Sequence, residues 1–285
     1  IKNGTASLSL SGNNTFSGGT ALNAGTLIVG SNTALGTGAL AAAAGTKLDA
    51  STTVALTNAV SLGGDLEVLG SADLTLGGLI SGSGGLIKRG FTNLILNGAN
   101  TFTGGTTLTA GTLTVGNAGA LGSGALSVTD TATLDSNTAV TLNNNVNLNS
   151  ALTIGGSSGL TLSGLINGSG QLLKNGAANL TLSGANTYSG GTTLNAGTLT
   201  VGNATALGSG ALTVSGASTL ASNTALNLGN AIGLNADLTV ANSAGLTLGG
   251  DISGAGGLIK TGTGVLTLGG NNTYQGGTAL NAGGL

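Results

Sequence analysis

One aromatic residue returns at a fixed interval along this chain: Phe16, Phe102, Tyr188 and Tyr274, each 86 residues after the last. A lysine does the same at Lys2, Lys88, Lys174 and Lys260, so the intervening sequence repeats with no net insertion or deletion. Such self-similarity points to an elongated body of stacked units, where length alone would suggest one or two globular domains. The chain reads as a single array, 1–285, with 86-residue units at 1–85, 86–171, 172–257 and 258–285, the first and last partial. It starts and stops inside a repeat, which reads as an excerpt of a longer protein with open coil edges.

Within each unit short segments alternate apolar and small polar residues, as in Leu74-Thr75-Leu76, Leu94-Ile95-Leu96 and Leu180-Thr181-Leu182. Period two means strands with one buried face. Clusters such as Asn97-Gly98-Ala99-Asn100 separate them and supply the residues that corners tolerate. Leu22, Leu108, Leu194 and Leu280 keep the same bulk from copy to copy, as do Val68, Ile154 and Val240. An interior slot presented again and again suits a solenoid, whereas propeller blades carry more aromatics than the 2% found here. The expected fold is therefore all-β, a parallel β-helix (β-solenoid). Cutting one unit at Leu172–Gly190, Gly191–Gly210, Ala211–Asn235 and Ala236–Gly257 yields four coils, about 13 for the chain. On that cut successive lysines stand four coils, ~19 Å, apart.

Glycine, at 57 residues, would suggest disorder, but proline is absent and mean hydropathy is +0.40. Charged residues are 5% and net charge is −2, leaving no basic field for nucleic acid or anionic lipid. Cysteine is absent, which fits a chain that stays unfolded while crossing an oxidising space.

The string GGLIKTGTGVLTLGGNNTYQGGTALNAG at Gly256–Gly283 resembles the autotransporter-associated β-strand (passenger-associated transport) repeat. Copies of the string stand at Ile1–Leu27, Gly85–Leu113 and Gly170–Leu199. The resemblance implies a right-handed β-helical passenger of a type V secreted protein of Gram-negative bacteria, exported through the outer membrane to the cell surface. It implies a structural or adhesive role, with a host or bacterial surface, self-association, or the protein's own C-terminal membrane barrel, absent from this stretch, as partners. The alternatives are a polysaccharide-cleaving β-helix enzyme and a self-associating extracellular fibre.

Candidate chemistry is sparse. Asp65, Glu67 and Asp73 form the one local acidic cluster, and their counterparts Ala151/Thr153/Gly159 and Asp237/Thr239/Gly245 do not preserve it. A solvated face is the favoured reading over general acid/base catalysis or calcium binding. The lysines are read as solvated turn residues that discourage lateral pairing, the Asn-Thr pair before each aromatic as a corner clamp, and the aromatic as packed against that corner. Thr161, Thr181, Thr200, Thr213 and Thr247 are too unevenly spaced to read as one regular column. No catalytic, cofactor-binding or metal-binding residue is assigned; the expectation is a non-enzymatic protein without nucleic-acid or small-molecule cofactor partners.

Overall fold

A computed structural model describes all of residues 1–285. The chain is all-strand, with no helix, and its strands pair in parallel. It divides into two compact units, Ile1–Asn144 and Asn145–Leu285, each a parallel β-solenoid.

In the first unit the chain visits three sheets in turn. Val60–Leu62, Leu66–Val68, Leu74–Leu76 and then Ile80–Gly82 begin six, eight and six residues apart. One circuit is therefore 20 residues: Thr20 pairs with Leu40, Leu40 with Val60, and Val60 with Ile80. The second unit keeps the same step through Leu152, Leu172, Thr192, Leu212, Ile232 and Ile252. The inward residues form columns; Leu56, Leu76, Leu96 and Val115 are in register and almost wholly buried. Each such side chain contributes about 1.5–3 kcal/mol of burial, and stacking at ~4.8 Å lets backbone groups pair with the turns before and after.

The β-solenoid expectation holds, but the coil lengths and the columns require correction. Turns run at 20 residues, and each aromatic motif shortens one turn to 19 and the next compensates with 21 (Leu94 to Leu113 to Leu134; Leu180 to Leu199 to Leu220). The chain thus makes about 14 turns, close to the expected 13. Residues 86 apart are not stacked. Four turns use 80 residues, and the remaining six are the step from one sheet to the next. Leu22 accordingly lies in the sheet of Thr20–Leu22 and Leu40–Ala42, while Leu108 lies in that of Leu66–Val68 and Leu86–Lys88. In the second unit Leu194 and Leu280 likewise occupy different sheets. The equal bulk of such residues reflects repeated local packing, not a vertical column.

Each repeat after the first also ends a sheet. Ile80–Gly82 terminates its sheet, and Asn100–Phe102, 20 residues later, is no longer a strand. In the second unit Ile166–Gly168 precedes Asn186–Tyr188 and Ile252–Gly254 precedes Asn272–Tyr274 in the same way. The closing glycines Gly82, Gly168 and Gly254 adopt φ of 111°, 105° and 111°. A Cβ on Gly168 would lie 2.1 Å from the Leu148 carbonyl oxygen. Gly168→Ala is expected to cost at least about 1–3 kcal/mol in urea unfolding. Gly233→Ala, mid-strand with open space around its Cβ, is expected to be neutral or stabilising by roughly 0.5–1 kcal/mol; equal losses at both sites would contradict this account.

Candidate functional site: the repeated lysine, asparagine and aromatic

The lysine closes a three-residue strand, Leu86–Lys88, Leu172–Lys174 or Leu258–Lys260. Period two places Leu86 inside, Ile87 outside and Lys88 inside again. Lys88, Lys174 and Lys260 are all 0% exposed, which overturns the reading of solvated lysines. The four-carbon stem fills a slot otherwise taken by an aliphatic residue, since Lys88 is in register with Val68 and Leu108, and Lys174 with Ile154 and Leu194.

The ammonium is held by backbone carbonyls. Lys88 Nζ donates to Arg89 O at 2.7 Å, Gly90 O at 2.8 Å and Ala110 O at 3.4 Å. Lys174 Nζ donates to Gly176 O and to Ala196 O at 3.3 Å; Lys260 repeats this with Gly262 O and Ala282 O, and Lys2 with Gly4 O and Ala24 O. Each lysine ties its own corner to the corner 22 residues on. Burial lowers the pKa of Lys88 to about 8, against a weaker opposing pull from Asp73, and lowers Lys174 and Lys260 as well.

The asparagine supplies what the interrupted sheet lacks. Ile80 N–H donates to Asn100 Oδ1 at 2.8 Å, and Asn100 Nδ2 donates to Ala120 O at 2.7 Å. Asn186 bridges Ile166 and Ala206 at the same distances. A carboxamide carries one acceptor and two donors, so it replaces a missing peptide between successive turns. The corner-clamp reading of this residue holds, and the clamp spans three turns. Sequence reasoning missed a second asparagine. Asn58 Nδ2 donates to Gly36 O and Gly38 O, Asn144 to Gly122 O and Gly124 O, and Asn230 to Gly208 O and Gly210 O. Its recurrence every 86 residues was the available signal.

Phe102 and Tyr188 are fully buried, as expected of a ring packed at the corner, while Phe16 in the first turn is 40% exposed. Tyr188 Oη and Thr192 Oγ1 share a hydrogen bond at 2.5 Å. Burial pushes the Tyr188 phenol up to about 12 despite that bond. In the preceding repeat phenylalanine stands in this place, and the corresponding buried hydroxyl, Thr106 Oγ1, has no partner.

The acidic cluster is spent on structure. Asp65 Oδ1 accepts from Gly85 N–H and Asp73 Oδ1 from Asn93 N–H, both at 2.8 Å. Glu67 pairs with Lys47 at 3.1 Å and Arg89 at 3.2 Å. Its burial raises the pKa, but the bonds and attraction of those two cations outweigh this and lower it. No three His, Cys, Asp or Glu groups converge as a metal site. The grooves on the surface are shallow and poor in titratable groups; one of ~470 Å³ is lined by Ile1, Gly18, Gly19 and Ala41 among others. The threonines form no single column, as their irregular spacing suggests: Thr161, Thr181 and Thr200 stack on one sheet with Ala221 next, while Thr213 and Thr247 lie in two other sheets.

The passenger-associated-transport-repeat family matches residues 1–29, 86–115, 172–201 and 258–285, the segments that carry lysine, asparagine and aromatic. The chain carries four passenger-associated-transport-repeats. It is an autotransporter passenger-like repeat domain. No curated protein and no solved structure matches it. In geometric terms a transport repeat is a clamp: it ends one sheet, bridges the gap with asparagine, seals it with the aromatic and locks the adjoining corner with lysine.

Two measurements test the clamp. Phe102→Tyr should supply the partner that Thr106 lacks and stabilise the chain by about 1 kcal/mol, whereas Tyr188→Phe, which strands Thr192, should cost about 1–2 kcal/mol in chemical denaturation. The second concerns pH. Between about pH 8 and 10.5 the unfolded chain keeps a proton that native Lys88 has released, so stability rises with pH there and is flat below. Tyr188 acts oppositely only above about pH 10. The unfolding midpoint should therefore climb from pH 7.5 to 9.5, and climb less in Lys88→Met.

Proposed function

We propose that this passenger-like domain is the extracellular stalk of a type V secreted surface protein, supplying length and stiffness, holding a distal region off the cell or touching a host or bacterial surface itself. The observation that carries this reading is where the repeat spends its polar chemistry. Its conspicuous polar side chains, Lys88, Asn100, Asn144, Lys174, Asn186 and Asn230, are turned inward onto backbone groups of neighbouring turns. The outward strand positions carry mostly short residues, such as Ala21, Ala41, Ser61 and Ser81. Catalysis needs convergent, unsatisfied groups; here the convergent groups are satisfied. A solenoid whose turns touch only their neighbours can also fold turn by turn as it emerges from a pore, which suits export.

The test places residues 1–285 between a secretion signal and an outer-membrane barrel in a Gram-negative host. The expected result is display at the surface as a compact, protease-resistant body, with removal of one 86-residue unit tolerated. Retention in the periplasm would count against the export role, and turnover of a polysaccharide that survives repurification would count against a purely mechanical one.

A further inference from the structure

The first unit holds one place where the repeat abandons its own pattern. Lys47, Glu67, Arg89 and Phe91 have the counterparts Thr133/Thr219, Thr153/Thr239, Asn175/Thr261 and Ala177/Thr263. Four short polar or small positions have thus become two cations, an anion and an aromatic ring. Phe91 is the one aromatic outside the 86-residue register, and it is 89% exposed, where Phe102 and Tyr188 are buried.

The four residues are neighbours. Lys47 and Glu67 are in register on adjacent strands, Glu67 pairs with Ile87, and the Arg89 guanidinium reaches back to Glu67. Phe91 lies on the corner just beyond, between Leu86–Lys88 and Asn93–Leu96. That corner rests on the one before it through Arg89 N–H to Val68 O at 2.8 Å and Thr92 Oγ1 to Ala72 O at 3.0 Å. Asp73 is exposed beside it and uses Oδ1 on Asn93 N–H.

An exposed aromatic next to an arginine is the composition of a binding hot spot, and a ring in water has no structural reason to be kept there. The charges select the occupant. Glu67 sits between Lys47 and Arg89 and pairs with both, while Arg89 and Asp73 stand at the two ends of the stacked corner that carries Phe91, so the patch is nearly balanced and carries both signs. A strongly acidic or basic partner would meet its own sign in the patch. A second copy of the same patch, turned by a two-fold axis, sets Arg89 of each chain over Asp73 of the other with the two rings between them, and an isologous interface needs such self-complementarity. From this we infer that the Arg89–Phe91 corner is a lateral self-association site, joining two copies of this chain side by side through Phe91 with Arg89 and Asp73 in reciprocal pairs.

Two rings and four charges bury well under the ~1,200 Å² of stable complexes, so pairing of free chains is weak, on the order of 10⁻⁴ M. Sedimentation equilibrium of the whole chain up to millimolar concentration should show the mass rising toward a dimer. Phe91→Ala should weaken association at least about tenfold with an unchanged unfolding midpoint. Arg89→Asp and Asp73→Arg should each be monomeric alone, and an equimolar mixture of the two should associate again, because every Arg–Asp pair is restored across chains. A wild-type chain that stays monomeric would overturn the proposal. So would association that persists in Phe91→Ala, the sign of contact through the coil ends or another face, or a mixture that fails to associate.

Discussion

A backbone amide that leaves a sheet must find another partner before it is buried. In a parallel solenoid the ladder answers this wherever strands stack, and hydrophobic columns such as Leu56–Leu76–Leu96 keep the turns closed. The need becomes acute where the ladder stops. At Ile80 and Ile166 the next turn brings no strand, and without Asn100 and Asn186 the freed amides would face a corner filled by an aromatic ring. Leaving such groups unpaired costs about 1–3 kcal/mol each, so asparagine, lysine and aromatic belong to one solution: an interruption is admissible only when all its polar groups are met from side chains.

The buried lysines obey the same accounting from the opposite direction. An ammonium taken out of water needs its three protons bonded. The corner carbonyls of Arg89, Gly90 and Ala110 provide this for Lys88. Each side cures the other's deficit: the carbonyls have lost the ladder, the ammonium has lost water. Burial nonetheless lowers the pKa of Lys88, the direction expected where carbonyls replace water incompletely.

Much of this was legible in the sequence. Alternation in Leu74-Thr75-Leu76 and its kin gave away strands, the exact register of 86 gave away stacking, and Asn100 was identifiable as a corner residue from its neighbours. Lysine was misread because its charge was given more weight than its phase, although Leu86 and Lys88 share one phase. The 20-residue turn stayed hidden behind the louder period of 86, since corner contacts such as Gly168 against Leu148 recur, at Gly82 and Gly254, every 86 residues and not every 20. The missing partner of Thr106 could be suspected only once Phe102 and Tyr188 were known to occupy equivalent pockets.

The six-residue remainder between 86 and four turns has a consequence for how such a chain can evolve. Duplication of a unit that filled whole turns would line up every copy of a surface residue, and a single change would grow into a row. Here, within either unit, two copies face different directions, Lys2 and Lys88 on one pair of sheets, Lys174 and Lys260 on another. Copying lengthens the protein without ruling a stripe of identical side chains down any side. A distinctive surface must then be made by departing from the repeat at one place.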